Sequence, residues 1–429
     1  MDNTSPDTAY FLHKLLVSAD QQLPPDDYNH HEFIKPLQFS TVASAEADFF
    51  HNLDNTFLRH SKGQRNETYT EKLRHHWKVI LLNLCMTMYQ RHWLLVPAST
   101  KYYSNEYWPK RLGLSHRPTQ QAIELLESND FIKVLPGKRY HNQPVARRIY
   151  PTEKLQDLLW EYFLSIEQPI EPPYLTVNDG EGNWSQLDLP DDHPEVGELT
   201  KINEFLKGHR WAFKGPVRLL YKHSAFQGGR LYTPFQNLPD RSVRLRINTK
   251  INDHPIGEVD FSANHLRLNL ALNGGIDAGE SPYEDIGEAA GGLSRDTVKS
   301  FITIAMGANE RKQAASSASL KGINGEQFTR LTEAALEVFP KLELFSGWGL
   351  YAQNLEGQIL KQVMLEGVKK DIVCLPVHDA VAVQQEHLEW AKDTMLECWD
   401  RQMEISGLAR VKVDLPAGNA SASYLDGKV

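Results

Sequence analysis

The sequence predicts a multi-domain chain of the α+β class. Two apolar strands, one ending at Asp260 and one running into His378-Asp379, lie far apart and alternate with long helical stretches. A helix–turn–helix–hairpin pattern stands at 105–150, well before either strand. Between these parts, 167–198 contains nine acids and no Lys or Arg, a composition suited to a linker.

Residues 1 to about 65 are polar, show few strong periodicities and carry a Pro-Pro-Asp-Asp turn at Pro24–Asp27. No function is assigned to this extension, taken as 1–68. A helix is expected over Tyr69–Trp93, basic at its start and apolar from Val79. Asn105–Leu112 reads as a short helix, Leu114-Ser115 as a turn and Pro118–Asn129 as a second helix. Pro lies near its first turn, and Ile123, Leu125 and Leu126 recur at helical spacing. Phe131–Leu135 and Val145–Tyr150 read as strands flanking Pro136-Gly137-Lys138-Arg139. Helix, turn, helix and basic hairpin is the order of a winged helix, which sets its second helix in a DNA groove and its wing on the backbone. Lys133, Lys138, Arg139, Arg147 and Arg148 are then expected to meet phosphates. Winged helices also serve as protein–protein modules, and that alternative stays open.

Hydrophobic content of 41% with 24% charged residues is that of a soluble globular chain. No apolar run reaches the length of about 18 residues needed to cross a bilayer. The N-terminus lacks a signal-peptide pattern. Three cysteines, Cys85, Cys374 and Cys398, stand far apart without metal-ligand spacing, which fits reduced thiols and a cytoplasmic location. His30-His31 and His75-His76 have no partners at ligand spacing and are expected to be solvated or hydrogen-bonding. The net charge is −9, yet Lys201–Lys250 has eleven Lys/Arg against two acids, a local charge of 11 − 2 = +9. Charge segregated in this way suggests a basic surface beside the acidic linker.

Transfer of a nucleotide to a 3′-hydroxyl uses two divalent cations about 3.5–4 Å apart. Mg²⁺ is a hard ion that prefers carboxylate oxygens. Two aspartates at the ends of adjacent apolar strands suit that task. Ile256–Asp260 is one such strand, followed by a helix with Leu266, Leu268, Leu270 and Leu272. Ile372–Val377 is the other; it runs into His378-Asp379 and returns through Ala380–Val383. Between them Ser294 reads as the N-cap of a helix bearing Arg295 and Lys299 four residues apart, on one face near its positive end. Two cations there suit a triphosphate.

In this order the segments resemble the family-A DNA polymerases. Asp260-Phe-Ser-Ala-Asn-His-Leu-Arg267 is similar to their motif A, D-Y-S-Q-I-E-L-R. Arg295-x3-Lys299 and the helix ending at Met306-Gly307 resemble motif B, and Val377-His378-Asp379 resembles the V-H-D-E of motif C. Gly229-Arg230 and Asn237-Leu-Pro239 resemble elements that grip the template-primer, Phe339-Pro340 the Tyr-Pro after the fingers helices, and Leu355–Lys361 the helix before motif C. The resemblance covers about 210–420. It implies a right-hand polymerase palm with an antiparallel sheet over 199–429 and helical fingers inserted at about 280–345. Before it come a mainly helical 69–165 containing the winged helix and a linker at 166–198.

On this resemblance Asp260 and Asp379 hold two Mg²⁺ (or Mn²⁺) ions, and Arg295 and Lys299 hold the triphosphate. His265 and Met306 lie by the incoming nucleotide, His378 positions the primer terminus, and Arg230 and Arg267 belong to the nucleic-acid contact. The implied partners are a DNA primer-template and nucleoside triphosphates, with replication or mobile-element proteins as further candidates. No proofreading exonuclease domain is evident. The pattern departs in four places. Met306 replaces a Tyr and that helix is one residue short; His265 replaces the Glu that excludes a 2′-hydroxyl; Ala380 replaces the motif C Glu; and little room separates Phe339-Pro340 from Glu356. The expected activity is that of a DNA polymerase or primase-polymerase, with dNTP or NTP use undecided. The alternative is an inactive polymerase-fold DNA-binding protein acting as a replication initiator or regulator.

Overall fold

The computed structural model describes residues 23–24, 26, 31–39, 47–49, 51, 67–104, 107–140, 143–178, 184–187, 189–190, 193–238 and 244–416. Most of the 1–68 extension lies outside the described residues, as do His30, Asn105, Pro239 and half of the Pro24–Asp27 turn. The chain is of mixed helix and sheet and divides into two units. The first comprises Met1–Pro169, Arg210–Pro216 and Asn237–Asp253; the second Ile170–His209, Val217–Gln236 and His254–Val429.

In the first unit, β1 (His31–Phe33), α1 (Glu67–Gln90) and β2 (Trp93–Leu95) precede α2 (His116–Ser128). A long hairpin follows: β3 (Ile132–Leu135), β4 (Lys138–Tyr140), β5 (Gln143–Val145) and β6 (Arg148–Pro151). The sheet order is β1-β2-β6-β3, and β4 and β5 form the hairpin's outer part. Leu73, Trp77, Ile80, Leu81, Leu84 and Met88 recur at three- and four-residue intervals along α1 and are all buried. His76 is buried among them and needs no metal. Its Nδ1 bonds the Lys72 carbonyl at 2.7 Å and its Nε2 accepts from the Ser115 amide at 2.8 Å. Burial pushes its pKa down to about 4, so the ring is neutral.

Two expectations change here. The short helix at Asn105–Leu112 is a single wide turn over Tyr107–Arg111. The strand at Val145–Tyr150 is broken at Ala146-Arg147, where the chain passes from β5 to β6.

The second unit opens where a linker is expected, and the structure corrects that reading. Within 166–198 lie β7 (Leu175–Asn178) and β8 (Trp184–Gln186), and α4 (Pro194–Lys207) begins there, α3 (Glu153–Leu159) having closed the first unit's helices. Leu175 pairs in parallel with Leu219 of β9 (Arg218–Lys222), which runs antiparallel to β10 (Ser224–Tyr232). Two acids of α4 are structural: Glu195 and Glu198 lie 3.2 and 2.7 Å from the buried Lys361 ammonium. A proline- and acid-rich composition suits a loop-rich stretch, but those carboxylates answer a buried cation rather than solvent.

A second sheet carries the residues of interest. It contains β11 (His254–Phe261), and after α5 (Asn264–Leu272) come four helices, α6 (Pro282–Ala289), α7 (Arg295–Gly307), α8 (Arg311–Ser319) and α9 (Gly325–Val338). These bury a shared core that includes Ile286, Val298, Phe301, Phe328 and Leu331. Each such fully buried Leu or Phe contributes about 1.5–3 kcal/mol. Asn324 and Gln327 form a capping box that fixes the start of α9. The long α10 (Gly349–Lys370) then leads to β12 (Leu375–Val377), β13 (Ala380–Gln384), α11 (Leu388–Met403) and β14 (Val411–Asp414). β11 lies between β13 and β14 and is antiparallel to both. A Cβ on Gly357 of α10 would overlap the Gly229 carbonyl oxygen, so α10 lies directly on β10 because that position is glycine.

Candidate active site

Strand register brings the two aspartates together. Asp260 stands opposite Ala380 on β13 and opposite Lys412 on β14. His378 and Asp379 form the two-residue turn between Val377 and Ala380, which pair with one another. The Asp379 carbonyl accepts from the Phe261 amide at 3.3 Å, tying that turn to the end of β11. His378 is exposed and has a φ of 57°, in the left-handed region that costs a β-carbon-bearing residue about 1–2 kcal/mol.

The electrostatics agree with that juxtaposition. Burial and the neighbouring charges of Asp260 and Glu356 push the Asp379 carboxyl up to about 7. Burial also raises Asp260, although Lys412 and Lys299 oppose the shift. Lys412 Nζ is 2.9 Å from Asp260 Oδ2. Asp260 Oδ1 is buried and has no hydrogen-bond partner among the described residues.

That orphaned oxygen fits a divalent cation, since a buried acceptor without a donor is costly unless something cationic answers it. Among the described residues no group of three or more His, Cys, Asp and Glu forms a metal cluster. Two carboxylates nonetheless suit Mg²⁺, which keeps several waters and is completed by substrate phosphates. Both Asp260 and Asp379 therefore qualify as metal-holding residues.

α7 presents the two cations as its sequence dictates. The Ser294 hydroxyl accepts from the Thr297 amide at 3.3 Å, capping the helix just before Arg295. Arg295 Nε is 3.1 Å from Glu284, and its guanidinium lies 5.5 Å from the Tyr283 ring centre. Lys299 is exposed one turn on, and Asp260 feels its charge.

Glu356 is a site residue that sequence reasoning misses. It sits in the middle of α10, only 1% exposed, and its carboxylate holds the others in place. Oε1 accepts from Arg230 at 3.0 and 3.1 Å, and Oε2 accepts from His265 Nε2 at 3.1 Å and from Asn264 at 3.4 Å. Burial works against its ionisation, but His265 and Arg230 outweigh that and hold it below the usual carboxylate range. The one signal in the sequence is its place in Leu355–Lys361, the segment that resembles the helix before motif C.

Four expected site residues have other duties. Arg267 is buried: its Nε donates to the Ser262 carbonyl at 2.9 Å, and its other nitrogens reach Leu408 O, Gly279 O and Asp277. It holds the turn after Asp260 and presents no charge to a nucleic acid. Met306 is buried in the core of α6–α9, as an unbranched apolar side chain on the inward face of α7 would be. In the hairpin, Arg148 is 0% exposed and paired with Asp26 at 2.8 Å. Arg147 is half-buried and donates to the Val96 carbonyl at 3.1 Å. Lys133, Lys138 and Arg139 stay exposed, Lys138 in an ion pair with Asp26.

No protein-family model matches the chain, and neither does any curated protein. Among solved structures it is similar to the POL domain of Pol1 from M. smegmatis, in complex with DNA primer-template and dNTP. The identity is 12%, the alignment covers 95% of this chain and 80% of that one, and the TM-score is 0.33, below the level shared by chains of one fold. No helix among the described residues is long and apolar enough to cross a membrane.

Proposed function

We propose that the chain is a template-directed nucleotidyltransferase, a DNA polymerase or primase-polymerase without a proofreading exonuclease. In this reading 199–429 is a palm with fingers inserted at about 280–345, and 69–165 contains a winged helix that binds DNA. The observation that carries it is the pairing of Asp260 with Ala380, which brings two half-buried carboxylates together at the strand ends, one oxygen of Asp260 buried and unanswered among the described residues.

Asp260 and Asp379 hold the divalent ions. When bound, these lower the pKa of the attacking hydroxyl and offset the charge of the leaving pyrophosphate. The side chains supply the rest. Arg295 and Lys299 bind the triphosphate and offset the charge it develops. His378, displayed on its strained turn, positions the primer end; Arg230, steadied by Glu356, contacts the template-primer; His265 lies beside the incoming sugar. Lys133, Lys138 and Arg139 meet duplex phosphates. The chain works in the cytoplasm, in short synthesis alongside replication or mobile-element proteins.

One observation favours a second reading, an inactive DNA-binding initiator or regulator. Lys412 already neutralises the carboxylate that an ion would use. A labelled primer-template incubated with Mg²⁺ or Mn²⁺ and either dNTPs or NTPs separates the two. Extension that Asp260→Ala and Asp379→Ala both abolish establishes the enzyme. No extension with DNA binding intact favours the regulator, and extension without a template indicates a terminal transferase.

A further inference from the structure

Between Pro97 and Ile123 the first unit carries Lys101, Lys110, Arg111 and Arg117 against one acid, Glu106, which lies outside the described residues. All four cations are exposed. Two aromatic rings are exposed among them, Tyr102 at 43% and Tyr107 at 41%. A single exposed aromatic calls for no explanation, but two interleaved with four cations do.

The surface beneath them is fixed. Lys101 and Tyr102 belong to a tight turn over Thr100–Ser104, and Tyr107, Lys110 and Arg111 to the wide turn over Tyr107–Arg111. Their neighbours Tyr103 and Trp108 are buried with ring centres 5.1 Å apart, so one aromatic contact joins the two turns. The Tyr103 ring also lies 5.3 Å from that of His116, whose Nε2 donates to the Ala98 carbonyl at 2.8 Å. Arg117, the next residue of α2, is thereby held beside the same turns. The Tyr107 hydroxyl donates to the Ile34 carbonyl at 2.6 Å, and His75 of α1 donates to the Leu112 carbonyl at 2.8 Å just past the wide turn.

Cations and flat rings on a rigid base suit a polyanion that also has flat faces to offer. Single-stranded nucleic acid has both, since its phosphates meet the cations and its unpaired bases stack on aromatic rings. A duplex keeps its bases stacked on one another and gives the rings nothing to cover. Beyond its first turn α2 exposes Glu124 and Glu127, which present carboxylates rather than cations to a duplex groove.

We propose that Lys101, Tyr102, Tyr107, Lys110, Arg111 and Arg117 form a platform for single-stranded nucleic acid, separate from the duplex contact of the hairpin. It accepts strands of any sequence, because every base has a face that stacks. The platform goes beyond the polymerase reading and requires no nucleotidyl transfer.

The test is fluorescence anisotropy of the full chain with a labelled thymine oligonucleotide of about 20 nucleotides, an abasic strand of the same length, and a duplex. The abasic strand keeps the phosphates and lacks the stacking faces. The wild type should bind the thymine strand about fivefold or more tightly than the abasic strand, the effect of stacking one base on one ring. Tyr102→Ala should weaken thymine-strand binding by a similar factor and leave abasic-strand binding unchanged, while Tyr102→Phe keeps both. Lys101→Ala with Arg117→Ala should lower the salt slope on either single strand by about 0.7 for each phosphate no longer neutralised. Changing Lys133, Lys138 and Arg139 to Ala should weaken duplex binding and spare the thymine strand. A uridine strand names the source: tighter binding than thymine assigns the platform to RNA, weaker binding to DNA. The proposal is overturned if thymine and abasic strands bind alike, or if Tyr102→Ala binds the thymine strand as the wild type does. Should that variant not fold, equal binding of the two strands by the wild type still overturns it. Duplex binding without single-strand binding defeats this proposal alone and leaves an acidic protein as the occupant, whereas no binding of any nucleic acid defeats the winged-helix reading with it.

Discussion

Lys412 Nζ lies 2.9 Å from one carboxylate oxygen of Asp260, while the other oxygen of that carboxylate is buried and unanswered. The ion pair answers one oxygen of Asp260 and leaves the other open, and a divalent cation would have to compete with the lysine. Lys412→Gln should therefore tighten Mn²⁺ binding by about three- to tenfold, the effect of removing one partly exposed charge. Calorimetric titration reads this directly; weaker binding would show instead that Lys412 helps to assemble the site.

Asp379 gives a pH prediction whose sign is fixed. Its folded pKa, about 7, lies above the unfolded value of about 3.9. The carboxyl thus contributes stability that is fully present below about pH 4 and is lost as pH rises through about 7. Asp379→Asn keeps a neutral side chain of the same shape. Without divalent ions it should match the wild type at pH 4 and exceed it by about 1 kcal/mol or more at pH 8. Thermal melts across that range test this, and an equal difference at both ends would contradict it.

The left-handed His378 gives a prediction in which stability and function part. Glycine adopts its φ of 57° without strain, so His378→Gly should gain about 1 kcal/mol in stability. If the imidazole positions a primer terminus, the same change should reduce extension by about tenfold or more, on the order expected when a reacting group is no longer held in place. Denaturant melts and single-nucleotide extension rates measure the two sides.

Gly357→Ala should destabilise the chain by about 1–3 kcal/mol, because the added methyl meets backbone rather than a movable side chain. Denaturant unfolding measures the cost. A neutral result would mean that α10 can lift off β10.

In the hairpin, exposed and buried cations should behave oppositely. Changing Lys133, Lys138 and Arg139 together to Ala should weaken DNA binding and reduce its salt dependence, with a slope lower by about 0.9 for each phosphate that is no longer neutralised. Arg148→Met should mainly alter stability, since Arg148 is buried against Asp26. Fluorescence anisotropy over a range of salt concentrations, with melting curves, separates the two.

What can be read from the sequence is local. Asp260 and Asp379 stand out because each ends an apolar run, and Ser294 because a cap lies a fixed distance before Arg295 and Lys299. Glu356 does not stand out, because its partners Arg230 and His265 are 126 and 91 residues away and only folding joins them. Lys412 is hidden for the same reason: its role comes from strand register rather than spacing. Charge also misleads. Arg148, Arg267 and the acids of 167–198 look like surface or linker charges, but Arg148 and Arg267 are buried and Glu195 and Glu198 pair with a buried lysine. Net charge along a segment says nothing about which face each residue takes.

If Asp260 and Asp379 together hold divalent ions for nucleotidyl transfer, metal binding must depend on both. Mn²⁺ titrated into the wild type, Asp260→Ala and Asp379→Ala, each with and without a non-hydrolysable nucleoside triphosphate, tests this most directly. The expected result is Mn²⁺ binding that the triphosphate strengthens and that either substitution removes. Binding that is indifferent to both substitutions, or no binding to the wild type even with saturating triphosphate, would contradict it.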